Sequence, residues 1–191
     1  GIFGFGDDGS YTAVTNLVSN TGVVSSDVTG VGTARGEIVA ACEYSANKDK
    51  AIFGFGSDDT GKLGITNLVT NLGVIGTDVA AVGTARDQLA ACDYGDDKGI
   101  FAFGSDASAI TAVSNLVSNV GVVSADVTGV GTARRQVGAT QYGTDKGIFC
   151  YGEDASARGS YSNLVSSAGV IASDVAGVGT VKAQVGACSY G

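Results

Sequence analysis

Histidine, methionine, proline and tryptophan are all absent from the 191 residues. Without histidine the chain has no side chain whose ordinary pKa makes it a general base near neutral pH. It also lacks any Cys–His or Ser–His–Asp set and the commonest nitrogen ligand for a metal. Neither an enzymatic role nor a resident cofactor is expected. Basic residues are scarce too: 11 Lys and Arg stand against 19 Asp and Glu, a net charge of −8. Nucleic-acid readers need clustered cations to release the counterions on phosphates, so nucleic acid is excluded as a partner. The longest apolar runs are four to six residues. A membrane-spanning helix needs about 20, so no membrane insertion is expected. The start at Gly1 instead of a methionine reads as the mark of processing from a longer product.

What is present is repetition. The runs GIFGFG from Gly1, AIFGFG from Ala51, GIFAFG from Gly99 and GIFCYG from Gly147 divide the chain into units 1–50, 51–98, 99–146 and 147–191 of one domain. Each unit continues through an acidic loop, a TNLVSN-like run, a GVVSSDV-like run, GVGTAR and a small-residue run ending in Tyr. Short apolar runs bounded by Gly, Asn, Asp and Ser follow the grammar of strands and turns, and no stretch keeps helical spacing for three turns. Four strands per unit, about sixteen in all, are expected. A hydrophobic fraction of 44% is enough to build a core despite 31 glycines.

Four-stranded sheets repeated at this period predict an all-β, four-bladed β-propeller, while a β-prism or trefoil meets the same period. The runs IFGFG at 2–6, NLVSNTGVVSSDV at 16–28 and GVGTAR at 30–35, with their copies, resemble the kelch family of propellers, without its double glycine and tryptophan. The same text is similar to repeat proteins of environmental bacteriophage and other viral genomes. The run QVGACSYG at 184–191 matches those that precede IFxFG elsewhere. It is therefore expected to pair with residues 2–6 and close the ring. The inner strands, with Ala40–Ala41, Ala90–Ala91, Gly138–Ala139 and Gly186–Ala187, are small enough to crowd near an axis.

Several side chains recur once per unit. Asp27, Asp78, Asp126 and Asp174 are each followed eight residues later by a cation, Arg35, Arg86, Arg134 and Lys182, a pattern that predicts structural ion pairs within a blade or between blades. Asn16, Asn67, Asn115 and Asn163 fall inside apolar strands, where an amide must satisfy its hydrogen bonds on nearby groups. Tyr44, Tyr94, Tyr142 and Tyr190 end the inner strands. They suit either packing between blades or an aromatic face that stacks on glycans. Acidic loops at Asp7–Asp8, Asp58–Asp59, Asp106 and Glu153–Asp154 lack the alternation of ligands that calcium requires and are expected to be solvated. Cys42, Cys92 and Cys188 share one slot with Thr140, and Cys150 takes a Gly or Ala slot. All four are expected to be buried free thiols that act as small hydrophobes.

These features imply a non-catalytic structural or adhesive module at an extracellular or virion surface, contacting itself or another coat or surface protein. The outer runs 22–28, 73–79, 121–127 and 169–175 carry one Asp each and neither Lys nor Pro, a thin protection for sheet edges that favours self-association. Two other functions fit the same repetition. One is a lectin-like module whose weak glycan sites gain avidity by number, and the other is a kelch-type protein-interaction hub.

Overall fold

The turn residues that punctuate each unit become antiparallel hairpins in the computed structural model of the chain, which describes residues 1–190. All of its regular structure is β, with no helix among the described residues. The strands are β1 (Ile2–Asp7), β2 (Tyr11–Leu17), β3 (Ala40–Tyr44), β4 (Lys50–Gly54), β5 (Ser57–Asp58), β6 (Gly61–Lys62), β7 (Thr66–Val69), β8 (Ala90–Tyr94), β9 (Lys98–Ala102), β10 (Ser114–Val117), β11 (Gly138–Tyr142), β12 (Lys146–Cys150) and β13 (Ser162–Val165).

Four sheets follow one another along the chain. The first is β1-β2, and the next three have the orders β3-β4-β7, β8-β9-β10 and β11-β12-β13; β5 and β6 form a small separate hairpin. In each three-stranded sheet the inner strand comes from the end of one repeat unit and the other two come from the next. Successive units are thus sewn together within a sheet. The register repeats as well: Phe53, Phe101 and Phe149 lie opposite Asn67, Asn115 and Asn163. The inner strands β3, β8 and β11 lie side by side. Hydrogen bonds from Gln88 N to the Glu37 carbonyl, Gln136 N to Gln88 and Gln184 N to Gln136 run across the units at 2.8–3.1 Å.

The core lies between sheets. One cluster joins Phe53, Val69 and Ile75 to Ile2 and Phe5; a second holds Phe55, Phe101, Ile52 and Val117; a third holds Phe103, Phe149, Ile100 and Val165. A sheet of two or three short strands cannot bury both faces by itself, so each unit depends on its neighbour. Phe5, Phe55, Phe103 and Tyr151 share a left-handed backbone with φ of 63°, 65°, 66° and 65°, unusual for bulky residues. The bend turns each ring into the junction. The following glycine then donates its N–H to the carbonyl of Arg35, Arg86, Arg134 or Lys182 at 2.8–2.9 Å.

Two expectations are corrected. Thirteen strands form among the described residues instead of about sixteen: the four GVVSSDV-like runs are held by isolated bridges such as Val69↔Ile75 and Thr66↔Val79, the last inner strand is missing, and the short β5 and β6 are additions. Between those bridges side chains take over from the main-chain ladder. Asn67 Nδ2 donates to the Gly76 carbonyl at 3.1 Å, and Leu116 N donates to Ser124 Oγ at 2.9 Å. The expected pairing of 184–190 with 2–6 is not formed either. Strand β1 pairs with β2 alone, and residues 184–190 carry no strand. Gln184 still docks on Gln136, and Val185 lies against Gly138, so the segment occupies the next place in the row. The other inner strands reach their partners through a short turn, whereas this one is separated from β1 by nearly the whole chain, and that closure is entropically costlier.

Candidate functional site

The most elaborate side-chain chemistry in the molecule lies at the junctions between sheets and occurs three times. Arg35 leaves the first sheet's unit and enters the second sheet, where its Nη2 donates to Asn67 Oδ1 at 2.6 Å. Asn67 on β7 passes the contact on, its Nδ2 donating to Asp78 Oδ1 at 2.9 Å. Asp78 also accepts from Thr33 N at 3.0 Å and Thr33 Oγ1 at 2.7 Å, and lies 4.0 Å from Arg35 Nη1. Arg86 with Asn115, Asp126 and Thr84 repeats the arrangement, with an ion-pair distance of 3.6 Å, and so does Arg134 with Asn163, Asp174 and Thr132, at 3.7 Å. All three guanidinium groups and all three amides are fully buried.

Aromatic rings complete each clamp. The guanidinium carbons of Arg35, Arg86 and Arg134 stand 3.9, 4.7 and 4.7 Å from the ring centroids of Phe5, Phe55 and Phe103. Those rings meet Phe53, Phe101 and Phe149 of the next sheet edge-on at 5.2–5.4 Å. The Nε of each arginine has no hydrogen-bond partner, and the electron-rich ring face offsets part of that loss. Burial pulls the Arg35 and Arg86 guanidinium pKa down to about 10, while Asp78 and Asp126 pull the other way. Both therefore remain charged at neutral pH. Burial pushes the Asp78 carboxyl up, but the hydrogen bonds from Asn67 and Thr33, with Arg35 beside it, hold it below its ordinary 3.8; Asp126 and Asp174 are held down in the same way.

The recurrent Asp and cation residues therefore belong to different units, each cation reaching the Asp of the unit that follows. The fourth set is divided. Asn16 donates to Asp27 at 2.9 Å, yet among the described residues no cation bridges Asp27. Lys182 lies at the opposite end of the row, its Nζ 4.4 Å from the Tyr151 ring centroid. The expected ion pair of Asp27 is not formed because Arg35 is spent on Asp78 and Lys182 lies over Tyr151.

The tyrosines also part company. Tyr44 and Tyr94 are buried and pack against Gly121 and Gly169, whereas Tyr142 is half-exposed and Tyr190 is exposed. The acidic loops are turns capped by their own carboxylates. Asp58 accepts from Thr60 and Gly61, Asp106 from Ser108 and Ala109, and Asp154 from Ser156 and Ala157. All four cysteines are free, but the expected burial holds only for Cys92: Cys42 and Cys150 are half-buried, and Cys188, on the last segment that joins no sheet, is exposed. Burial raises the Cys92 thiol to about 12, which suppresses the reactive thiolate. An opening of about 290 Å³ is bounded by residues 41–43, 91–93, 139–141 and 188–189. Lys48 spans its mouth, with Nζ 3.5 Å from Asp93 and 3.4 Å from Gln141. No three Cys, Asp or Glu side chains gather into a metal-ligand group among the described residues.

The chain matches no family model and no curated protein. Sequence reasoning missed the threonine of each clamp and the aromatic stack. Both were marked by recurrence, the threonine in GTAR and the stack as two aromatic positions two residues apart.

Proposed function

We propose that the chain is a non-catalytic structural or adhesive module of propeller type that serves as a subunit of a virion or extracellular surface assembly, its partner being another copy or another coat protein. The observation that carries this reading is where the polar side chains are spent. The buried Arg and Asn of every complete junction are spent on each other and on the partly exposed Asp and Thr beside them, and they hold sheet to sheet. Blades set around a common opening fit the row of inner strands that bounds the 290 Å³ space. The glycan-binding alternative needs four equivalent ring faces, and Tyr44 and Tyr94 are already packed inside.

Immunogold labelling of native particles and cells with an antibody to this chain tests the reading. Gold on the outer surface is the expected result, and gold confined to the cytosol would overturn it. Strong, Tyr142-dependent binding on a glycan array would move the function to the lectin class.

A further inference from the structure

The residue three places after each aromatic bend is acidic in every unit, Asp8, Asp58, Asp106 and Asp154, and the last three are fixed in place. Asp58 accepts from the Thr60 hydroxyl at 2.6 Å and from Thr60 N at 2.8 Å. Asp106 accepts from Ser108 N and Ala109 N at 2.7 and 2.8 Å, and Asp154 from Ala157 N and Ser156 N at 2.9 and 2.7 Å. Those bonds hold the three carboxyls below the ordinary 3.8 and keep them ionised.

The first loop differs at each point. Asp8 is exposed and accepts from Ser10 N and Ser10 Oγ, both at 3.4 Å. The residue that follows it is Gly9, where the other loops have Asp59, Ala107 and Ala155. Gly9 has a left-handed φ of 113°, and a Cβ there would meet nothing within 4 Å. Its N–H donates to the neighbouring carboxylate, Asp7 Oδ1, at 2.7 Å. Asp7 takes the slot that Ser57, Ser105 and Glu153 fill elsewhere. No other Asp or Asn of the chain precedes a glycine.

We propose that Asp8–Gly9 is a site of spontaneous isoaspartate formation, a covalent modification confined to the first of the four loops. The Gly9 nitrogen attacks Cγ of the Asp8 carboxyl in its neutral form, and glycine leaves that approach free of a side chain. The N–Cγ bond forms while Asp7 takes the proton of the N–H as a general base. Asp7 then returns the proton to the departing OH of Asp8, which leaves as water. Water opens the resulting five-membered imide at either carbonyl, so the water lost is regained and only solvent takes part. Opening at the side-chain carbonyl restores Asp8. Opening at the main-chain carbonyl sends the chain through Cβ and Cγ, one carbon longer, and frees the α-carboxylate. The added carbon falls between Asp7 and Tyr11, the pair that closes the β1–β2 hairpin, and Tyr11 lies against Gly36. Modification therefore loosens this hairpin and leaves the three-stranded sheets as they are.

The full folded chain is incubated in mildly acidic water enriched in heavy oxygen, and its peptides are read by mass spectrometry with electron-transfer fragmentation. Each passage through the imide installs one heavy oxygen, and the fragmentation separates isoaspartate from aspartate. Label and isoaspartate should build up at Asp8 about tenfold or more faster than at Asp58, Asp106 or Asp154. Asp8→Glu, which would need a six-membered ring, should abolish the label at that position. Asp7→Asn keeps an acceptor for the Gly9 N–H but removes the base, and it should slow the label severalfold in the folded chain and leave it unchanged in urea. Residues 7 and 8 are exposed, so both variants keep the fold. An Asp8 without label, or equal labelling of the four loops, would overturn the site. A rate that Asp7→Asn leaves unchanged in the folded chain would overturn the part given to Asp7. Immunogold labelling decides the surface reading independently of either result.

Discussion

Asn115 with Asp126 and Asn16 with Asp27 are written in the same residues at the same spacing and make the same amide-to-carboxylate hydrogen bond of 2.9 Å. Their surroundings are opposite. The first pair is locked under Arg86, with Thr84 on the carboxylate, and the second sits on an outer face without either. A unit of this chain thus carries half of each of two junctions, and its energetics depend on which neighbours it has. The molecule contains its own control: equivalent substitutions in the interior and at the end separate what a residue contributes alone from what a neighbour adds.

The largest difference is expected at the aromatic ladder. Phe101→Ala should cost about 3–5 kcal/mol through the lost transfer energy and the cavity left between sheets, whereas Phe3→Ala should stay within about 0.5 kcal/mol, as surface changes do. Urea unfolding of the two variants measures both, and equal losses would show that the first sheet is packed as the others are. Next come the carboxylates. Asp126→Ala leaves Arg86 buried without its counter-charge and should cost about 2–4 kcal/mol, below the value for a fully enclosed pair because about a third of the carboxylate meets water. Asp27→Ala in the monomer should change little. A large loss there would mean that a cation reaches Asp27 after all.

The glycines offer a smaller contrast. Gly121 and Gly22 have nearly equal left-handed φ, 82° and 78°, so alanine at either carries a similar strain of about 1–2 kcal/mol. A Cβ on Gly121 would also meet Leu68 and Tyr44, while one on Gly22 meets nothing within 4 Å. Gly121→Ala should therefore unfold at a lower temperature than Gly22→Ala by the packing contribution alone. The smallest effect is the dependence on pH. The Asp78, Asp126 and Asp174 carboxyls lie below the ordinary 3.8 in the fold, so their contribution is complete above that value and fades as the pH falls through the lower folded one. Acid titration of stability should be less steep in Asp126→Asn than in the parent chain.

Much of this was legible in the sequence. The periods, the all-β class and the residues of the clamp recur visibly, since each unit faces the same packing problem and solves it with the same side chains. What recurrence cannot give is the partner. Asp78 and Arg86 stand eight residues apart in the text, yet Asp78 meets Arg35 and Arg86 meets Asp126, because the junction links each unit to the next. The outer runs read as strands because they are short apolar runs bounded by turn residues. They bridge only at single residues because Asn and Ser side chains occupy the ladder. Closure was inferred from matching text at the two ends, and matching text supplies no turn to hold them together.

The left-handed aromatic bend has a consequence for how such a chain lengthens or shortens. Every unit carries one bend, at Phe5, Phe55, Phe103 or Tyr151, and each bend is a local strain of about 1–2 kcal/mol. Four bends face three complete junctions here, and the bend at Tyr151 has only Lys182 over its ring. Stability per unit must then rise with the number of units, as in other linear arrays. A recombination event that removes a whole period of 48 residues, such as 99–146, takes away one bend together with one junction and leaves the remaining ones intact. Losing a few residues inside a unit keeps the bend and destroys the junction. Inheritance in this molecule is therefore forgiving of changes in copy number and strict about changes in phase.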